Sequence, residues 1–159
     1  MLEQMEHRLR ASKTFEAATN TILDDVMALH GAEHGDLQLC CGGDLIIVAQ
    51  RMLPLAFVKQ FGHIKPGDTS ASGRALRSRR SVVIPDVDRE PSYKPWLGAA
   101  RLGGYRSIQS TPLITSAGHM LGVVSTLFAN PHEPTSIEMD TLNKYSVLAS
   151  DYLARLLGD

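Results

Sequence analysis

Apolar residues recur at helical spacing from Met1 to about His30. Neither proline nor glycine interrupts this segment, and Gly31 and Gly35 follow it as stop signals. The pattern predicts one long amphipathic helix, whose apolar face is formed by Leu2, Met5, Leu9, Phe15, Ala18, Ile22, Val26 and Leu29.

Two pairs of strands follow, each joined by a short turn. DLQLCC and LIIVAQR are separated by Gly42, Gly43 and Asp44, which predicts a β-hairpin. GYRSIQSTPLI and HMLGVVSTLFAN predict a second hairpin, which turns across residues 115–118.

The segment between the two hairpins reads as a helical and loop insertion. It contains a short helix in LPLAFVKQFGHI, a Gly/Ser/Thr loop leading into a basic helix in KPGDTSASGRALRSRR, and a brief strand in SVVIPDV. DREPSYKPWLGAARLGG then predicts a lid interrupted by prolines, with a short helix near residues 96–101.

The chain closes with a second long helix, for which Thr135 and Glu138 have the spacing of a capping box. The order of elements predicts an α+β fold, with a central antiparallel sheet, the terminal helices on one face and the lid on the other. We divide the chain into an N-terminal helix, residues 1–30, and a remainder, residues 31–159, that includes the C-terminal helix. The apolar stripe of that helix is formed by Leu142, Tyr145, Ala149, Tyr152 and Leu156.

Charge and length narrow the classes of partner. The chain has 159 residues, enough for one domain with one core, and its formal net charge is -1. Nucleic acid and membrane surfaces normally attract a clear basic excess, so neither is expected as a partner. The charged start MLEQMEHRLR is unlike a signal peptide, and no apolar run approaches the roughly 20 residues of a membrane helix, so a cytoplasmic protein is expected.

Four stretches, in this order and spacing, resemble the GAF family of sensory domains. They are GDLQLCCGGDLIIVAQR, PGDTSASGRALRSRRSVVIPDV with the following DREPSYKPW, GYRSIQSTPLITSAGHMLGVVSTLF, and NPHEPTSIEMDTLNKYSVLASDYLARLL. They look like the GAF domains of bacterial sensor histidine kinases and related signalling proteins. The resemblance implies a GAF-like fold, a small-molecule pocket between sheet and lid, a homodimer through the terminal helices, and a regulatory rather than catalytic role.

By analogy with ligand-binding relatives, the pocket residues can be assigned. The resemblance implies a floor on the last two long strands and a cover from the short helix and the lid. Paired hydroxyls on the floor could instead bond to local backbone or to each other across the sheet, and the aromatic residues could be simple packing. The assigned floor is Ile108, Ser110, Val123, Ser125 and Leu127, and the assigned cover is Phe57, Phe61, Tyr93, Trp96 and Leu97.

The same assignment turns alternate residues of GYRSIQSTPLI toward the terminal helices. Ser107, Gln109 and Thr111 then face the helical layer. A buried Gln amide without partners costs about 1 to 3 kcal/mol. We therefore predict that Gln109 bonds to a terminal helix or across the sheet.

The loop GDTSASGRAL offers a candidate anion site. Small residues that lead into a helix N-terminus present free N–H groups, so Ser70, Ser72 and Arg74 could hold a carboxylate or a phosphate. Ser72 as a plain N-cap explains the same residues. The cluster of Arg74, Arg77, Arg79 and Arg80 is typical of a solvated helix face.

Signs of a metal centre or of catalysis are weak. His30 and His34 have a metal-like spacing but lie where the first helix ends, so no metal is expected. Cys40 and Cys41 are neighbours on a strand and are expected to be reduced thiols. No catalytic motif is apparent.

Three functions follow from these observations. The first is a sensor that binds a small molecule of unknown identity and signals through its terminal helices to an output such as a histidine kinase. The second is a dimerisation module without a ligand. The third is an enzyme like the free methionine sulfoxide reductases, which the resemblance also admits, although the positions of Cys40 and Cys41 suit that chemistry poorly.

Overall fold

The computed structural model describes residues 1–65 and 67–158. Over these residues one antiparallel sheet is built from six strands in the order β3-β2-β1-β6-β5-β4. The strands are β1 (His34–Cys41), β2 (Asp44–Arg51), β3 (His63–Ile64), β4 (Val82–Ile84), β5 (Ser107–Ile114) and β6 (Met120–Phe128).

Helices cover both faces of the sheet. The described helices are α1 (Leu2–Ala11), α2 (Phe15–His30), α3 (Leu55–Phe61), α4 (Ala71–Ser78), α5 (Leu97–Gly103) and α6 (Ser136–Leu156). The terminal helices α1, α2 and α6 pack on one face, while α3, α4, α5 and the 3₁₀ turns Val87–Arg89 and Pro91–Trp96 form the lid on the other. The predicted α+β architecture is confirmed. Within the described residues, no helix combines the length and the apolar character needed to cross a membrane.

The N-terminal segment contains two helices, so the prediction of one continuous helix was wrong. Ser12 is extended, and the Thr14 hydroxyl accepts a hydrogen bond from Ala17 N at 3.1 Å as the cap of α2. Ser and Thr side chains compete with helical hydrogen bonds and favour such caps. The break lets α1 fold back along α2 and α6.

One buried carboxylate ties these three helices together. Asp25 of α2 accepts a hydrogen bond from Arg8 Nε of α1 at 2.7 Å and from Tyr145 Oη of α6 at 2.9 Å. Because the carboxylate is buried and both its oxygens are paired, loss of either donor would leave a costly unpaired charge. The terminal helices therefore form one connected layer.

The predicted turns and cap are present. Gly42 and Gly43 join β1 to β2 with φ values of 60° and 93°, a region that glycine enters without steric cost. At the start of α6, Thr135 Oγ1 accepts from Glu138 N at 3.1 Å while Glu138 Oε1 accepts from Thr135 N at 2.7 Å, so the capping box is confirmed.

Strand β5 is buried on both faces, and its side chains divide as predicted. Ile108 lies on the lid face and Leu113 in the helix-side core. Gln109 also faces the helical layer and is fully buried, but among the described residues it makes no bond to a helix or across the sheet, so that prediction was wrong. Its Oε1 instead accepts from Thr111 Oγ1 on the same strand at 2.6 Å, and no described residue partners its Nε2.

Gln109 still reaches α6 indirectly. Thr111 Oγ1 lies 2.7 Å from Ser81 Oγ, which lies beside β4, and Ser81 Oγ lies 3.3 Å from Asn143 Oδ1 of α6. A short chain of polar side chains therefore connects the middle of β5 to the C-terminal helix.

The close contact of β1 with β6 depends on Gly122. A Cβ atom there would lie 2.0 Å from the backbone oxygen of Gln38. We predict that Gly122→Ala lowers the free energy of unfolding by about 1 to 3 kcal/mol, because β1 must move. Gly98→Ala is the matched control: apart from the adjacent backbone of α5, no atom lies within 4 Å of its Cβ position. Urea unfolding of both variants tests this, and equal midpoints would contradict it.

Candidate functional site

A cavity lies between the sheet and the lid. Its volume is about 30 Å³, enough for about two waters. Its walls come from β1, β3, β5 and β6 on one side and from the lid on the other. The lining residues are Asp36, Gln38, Phe57, Phe61, Ile64, Ser70, Ala71, Ser72, Tyr93, Trp96, Ala99, Tyr105, Ile108 and Leu127.

Most of the residues assigned to the pocket from sequence line this cavity. Phe57, Phe61, Ser70, Ser72, Tyr93, Trp96, Ile108 and Leu127 do so. Ser110, Val123 and Ser125 lie on the same face of the sheet but do not line the cavity. Arg74 and Leu97 do not line it either. Ligand contact by any of these residues stays a prediction.

The hydroxyls of the floor bond to each other. Ser110 Oγ lies 2.7 Å from Ser125 Oγ across β5 and β6, and Ser125 Oγ lies 3.3 Å from Ser72 Oγ of α4. The alternative of hydroxyls paired across the sheet therefore describes Ser110 and Ser125. The chain also attaches the first turn of α4 to the middle of the sheet.

The N-terminus of α4 is capped by a different serine from the one expected. Ser70 Oγ accepts from Gly73 N at 3.1 Å, whereas Ser72 lies inside the helix. Ser70 is therefore the N-cap, and the suggestion that Ser72 has this role was wrong. The reason is local: Ser70 alone has the extended backbone of a cap residue, with φ -61° and ψ 165°.

Arg74 and Trp96 hold the lid closed from outside. Arg74 donates to Thr69 O at 2.7 Å and to Ser92 O at 2.8 Å, and Trp96 Nε1 donates to Thr69 Oγ1 at 2.9 Å. These bonds join the loop before α4 to the 3₁₀ turn Pro91–Trp96. With its guanidinium occupied in this way, Arg74 is poorly placed to hold an anion in the cavity.

Aromatic side chains form the cover. Phe57 lies edge-on to Tyr105 with ring centroids 6.1 Å apart, and Phe61 is similarly placed against Trp96 at 6.1 Å. The Tyr93 and Tyr105 hydroxyls lie 2.7 Å apart. Burial, together with the nearby Asp36 charge, raises the pKa of Tyr93 to about 12, so both hydroxyls remain neutral at ordinary pH.

Two buried polar residues of β1 also line the cavity, and the sequence reasoning missed them. Asp36 is 5% exposed and Gln38 is 2% exposed. Asp36 Oδ1 and Gln38 Oε1 have no hydrogen-bond partner among the described residues. Burial raises the pKa of Asp36 to about 7.

A sequence signal for these two residues does exist. Asp36 and Gln38 alternate with Leu37 and Leu39, a pattern that normally places the polar side chains in water. Strand β1, however, lies between β2 and β6, and both its faces are covered. The polar face of a central strand was therefore the signal of a polar cavity.

No histidine or cysteine is among the described residues that line the cavity. His30 is buried with Nδ1 3.1 Å from Thr126 Oγ1, and burial lowers its pKa. Cys40 is half-buried and Cys41 is exposed, both as free thiols. Over residues 1–65 and 67–158, no group of three or more His, Cys, Asp or Glu side chains is placed to hold a metal ion.

The sequence of the chain matches one known domain family. A family model described as GAF domain matches residues 12–154. No curated protein sequence gives a significant match.

Solved structures share the fold at low sequence identity. The GAF domain of a phosphoenolpyruvate-protein phosphotransferase from Coxiella burnetii is similar over 97% of this chain and 90% of its own, with TM-score 0.79 and 20% identity. A domain of a putative two-component sensor histidine kinase from Sinorhizobium meliloti 1021 is similar over 86% and 88%, with TM-score 0.67 and 16% identity. Free methionine-R-sulfoxide reductase from Neisseria meningitidis, in complex with its substrate, is similar over 96% and 86%, with TM-score 0.77 and 17% identity.

The raised pKa of Asp36 predicts how stability depends on pH. The unfolded chain loses this proton near pH 4 and the folded chain near pH 7, so stability falls as pH rises through that window and stays low above it. Asp36→Asn removes this carboxyl group. We expect the free energy of unfolding of the variant, measured relative to the wild type, to be higher at pH 8 than at pH 4 by an amount on the order of 3 kcal/mol.

Urea unfolding of both proteins at a series of pH values measures the difference. Asp140→Asn, on the exposed surface of α6, removes the same charge away from the cavity and should leave the pH dependence unchanged. If the free energy of unfolding of the wild type and of Asp36→Asn changed with pH in parallel, ionisation of Asp36 would not destabilise the fold, which would contradict the prediction.

Proposed function

The chain belongs to the GAF domain family, and on that premise we propose that it is a sensory or regulatory domain that binds a small molecule between sheet and lid. The observation that carries this proposal is the cavity itself. It combines apolar aromatic walls with a few buried polar groups, a composition typical of small-molecule sites. A kinase or similar cytoplasmic output is the proposed receiver, and the likeness in fold to a sensor histidine kinase domain supports it.

The sheet offers a physical route from the cavity to the terminal helices. Neighbouring residues on a strand face opposite sides, so Ser125 bonds on the lid face while Thr126 lies against His30 of α2. Asp36 pairs in register with Ser125. A ligand that shifts β1 or β6 would therefore move groups that contact α2. It biases the output only by binding one arrangement more tightly than the other.

The positions of the two cysteine thiols favour a regulatory rather than a catalytic role. Cys40 packs beside Val123, Leu45 and Ile64 rather than lining the cavity, and burial raises its pKa, which lowers the fraction present as reactive thiolate. Cys41 is exposed on the hairpin. Neither is placed to act on a molecule bound among the lining residues, so we do not favour the reductase chemistry.

The small volume of the cavity favours one alternative, a dimerisation module without a ligand. Room for about two waters admits only a compact molecule unless the lid opens.

We also propose a homodimer through the outer surfaces of the terminal helices. The apolar stripes of α1 and α6 do not provide this interface, because Met5, Leu9, Leu142, Tyr145 and Ala149 are buried in the core of the domain itself. Val147 is the apolar residue in the middle of the outer face of α6 and is 39% exposed.

Native mass spectrometry of protein purified from its host tests the ligand. We expect an added small mass that is retained by the wild type and lost by Ala99→Leu, since Ala99 lines the cavity and the larger side chain would fill it. Ala117→Leu, in an exposed turn, is the matched control and should keep the mass. Wild-type protein with no added mass would favour the ligand-free module.

The dimer has a separate test. We expect Val147→Asp to shift sedimentation-velocity profiles from dimer to monomer, because a charge in an apolar contact must be desolvated. Leu55→Asp, at an exposed position of α3 in the lid, should leave the profile unchanged. A wild type that sediments as a monomer at high concentration would remove the dimer from the mechanism.

A further inference from the structure

The cavity contains two acceptor atoms that no described residue satisfies. Asp36 and Gln38 are two residues apart on β1, so their side chains project from the same face of the sheet. Both are more than nine-tenths buried, and Asp36 Oδ1 and Gln38 Oε1 are without partners among the described residues. An unpaired buried acceptor is costly, and an unpaired buried carboxylate is more so.

The other polar groups of the site are already occupied. The Tyr93 and Tyr105 hydroxyls bond to each other, Ser70 caps α4, and Ser72 bonds to Ser125. What the cavity offers to a ligand is therefore the carboxyl group of Asp36 and the amide of Gln38, with Asp36 Oδ1 and Gln38 Oε1 as free acceptors.

The described lining residues supply no counter-charge to Asp36 within the cavity. Among the described lining residues there is no Lys, Arg or His. The guanidinium of Arg74 lies 5.8 Å from the centre of the Tyr93 ring, but its N–H groups bond to Thr69 and Ser92. An anionic ligand would face Asp36 in a desolvated site without compensation.

The cavity is lined mainly by aromatic side chains, namely Phe57, Phe61, Tyr93, Trp96 and Tyr105. Aromatic rings attract ammonium and guanidinium groups that lie over their faces, most strongly where water is excluded. Resting on the proposed function of this cavity, we propose that its ligand carries a small organic cation of the ammonium or amidinium class, whose N–H groups donate to Asp36 and Gln38.

This inference makes binding sensitive to pH. Tyr93 and Tyr105, whose pKa values burial raises, face Asp36, and Arg74 beyond them carries a fixed charge. His34 lies two residues before Asp36 on the same face of β1. Asp36, with its pKa raised to about 7, thus controls the charge of the floor. A cation should bind roughly tenfold more tightly at pH 8 than at pH 6.

The test is a titration of the full chain followed by ¹H–¹⁵N NMR. The probes are methylammonium and guanidinium chloride, with acetamide as the neutral donor, sodium acetate as the anion, and sodium chloride to match ionic strength. We expect saturable shifts at β1 and the lid with the cations and none with acetate. Asp36→Asn should weaken cation binding at least tenfold, and Gln38→Leu should weaken it several-fold.

Asp140→Asn provides the control, because it removes an exposed carboxylate at a distance from the cavity. An equal loss of binding in Asp140→Asn and Asp36→Asn would assign the shifts to surface charge and overturn the inference. Saturable binding of acetate or acetamide at these residues, without binding of the cations, would overturn the ligand class but support the cavity as a site. Absence of binding by every probe would also overturn the inference, whereas the retained mass in host-purified protein decides the proposed function separately.

Discussion

The burial of β5 on both faces is the constraint on which the rest of the structure depends. Residues from Ser107 to Leu113 are all buried, the lid covering one face of the strand and the terminal helices the other. Each polar side chain of this strand must then find a partner inside the protein. On the lid face Ser110 bonds to Ser125, and on the helix face Gln109 and Thr111 bond to each other and onward to Ser81. The polar sequence of the strand thus specifies which elements lie against it.

Because both faces of β5 are covered, the sheet connects the cavity on one side with the terminal helices on the other. Strands β1, β5 and β6 pair over most of their length, and Gly122 lets β1 and β6 approach closely. Because interiors are close-packed, a shift of one strand is felt on both faces. On the helix side, α2 contacts Thr126 through His30, and Asp25 connects α2 to α1 and α6. In the proposed sensor, a change at the cavity would therefore be passed to a connected helical layer.

Sequence reasoning could predict the architecture because local signals agreed with one another. The Gly42–Gly43 turn, the capping box at Thr135 and the alternation along β5 all depend on nearby residues. It failed where tertiary packing, or the capping of a helix by one residue, determined the structure. The break at Ser12 divides a continuous apolar pattern. Thr14 caps α2 there, and packing against α6 stabilises α1 as a separate helix. Asp36 and Gln38 were overlooked because their alternation is also that of a strand facing water, and the cover over β1 comes from residues distant in sequence.

An unpaired polar atom does not by itself indicate a ligand, as Gln109 illustrates. Its Nε2 is also unpaired and buried, yet it lies in the closely packed helix-side layer and away from the cavity lining. Asp36 and Gln38 differ because their free acceptors border a space, and because one of them is ionisable. Proteins keep such local violations of good packing mainly where function requires them. Burial raises the pKa of Asp36, aromatic walls surround it, and the described lining residues include no cationic side chain; an external cation would satisfy its ionised form, as proposed above.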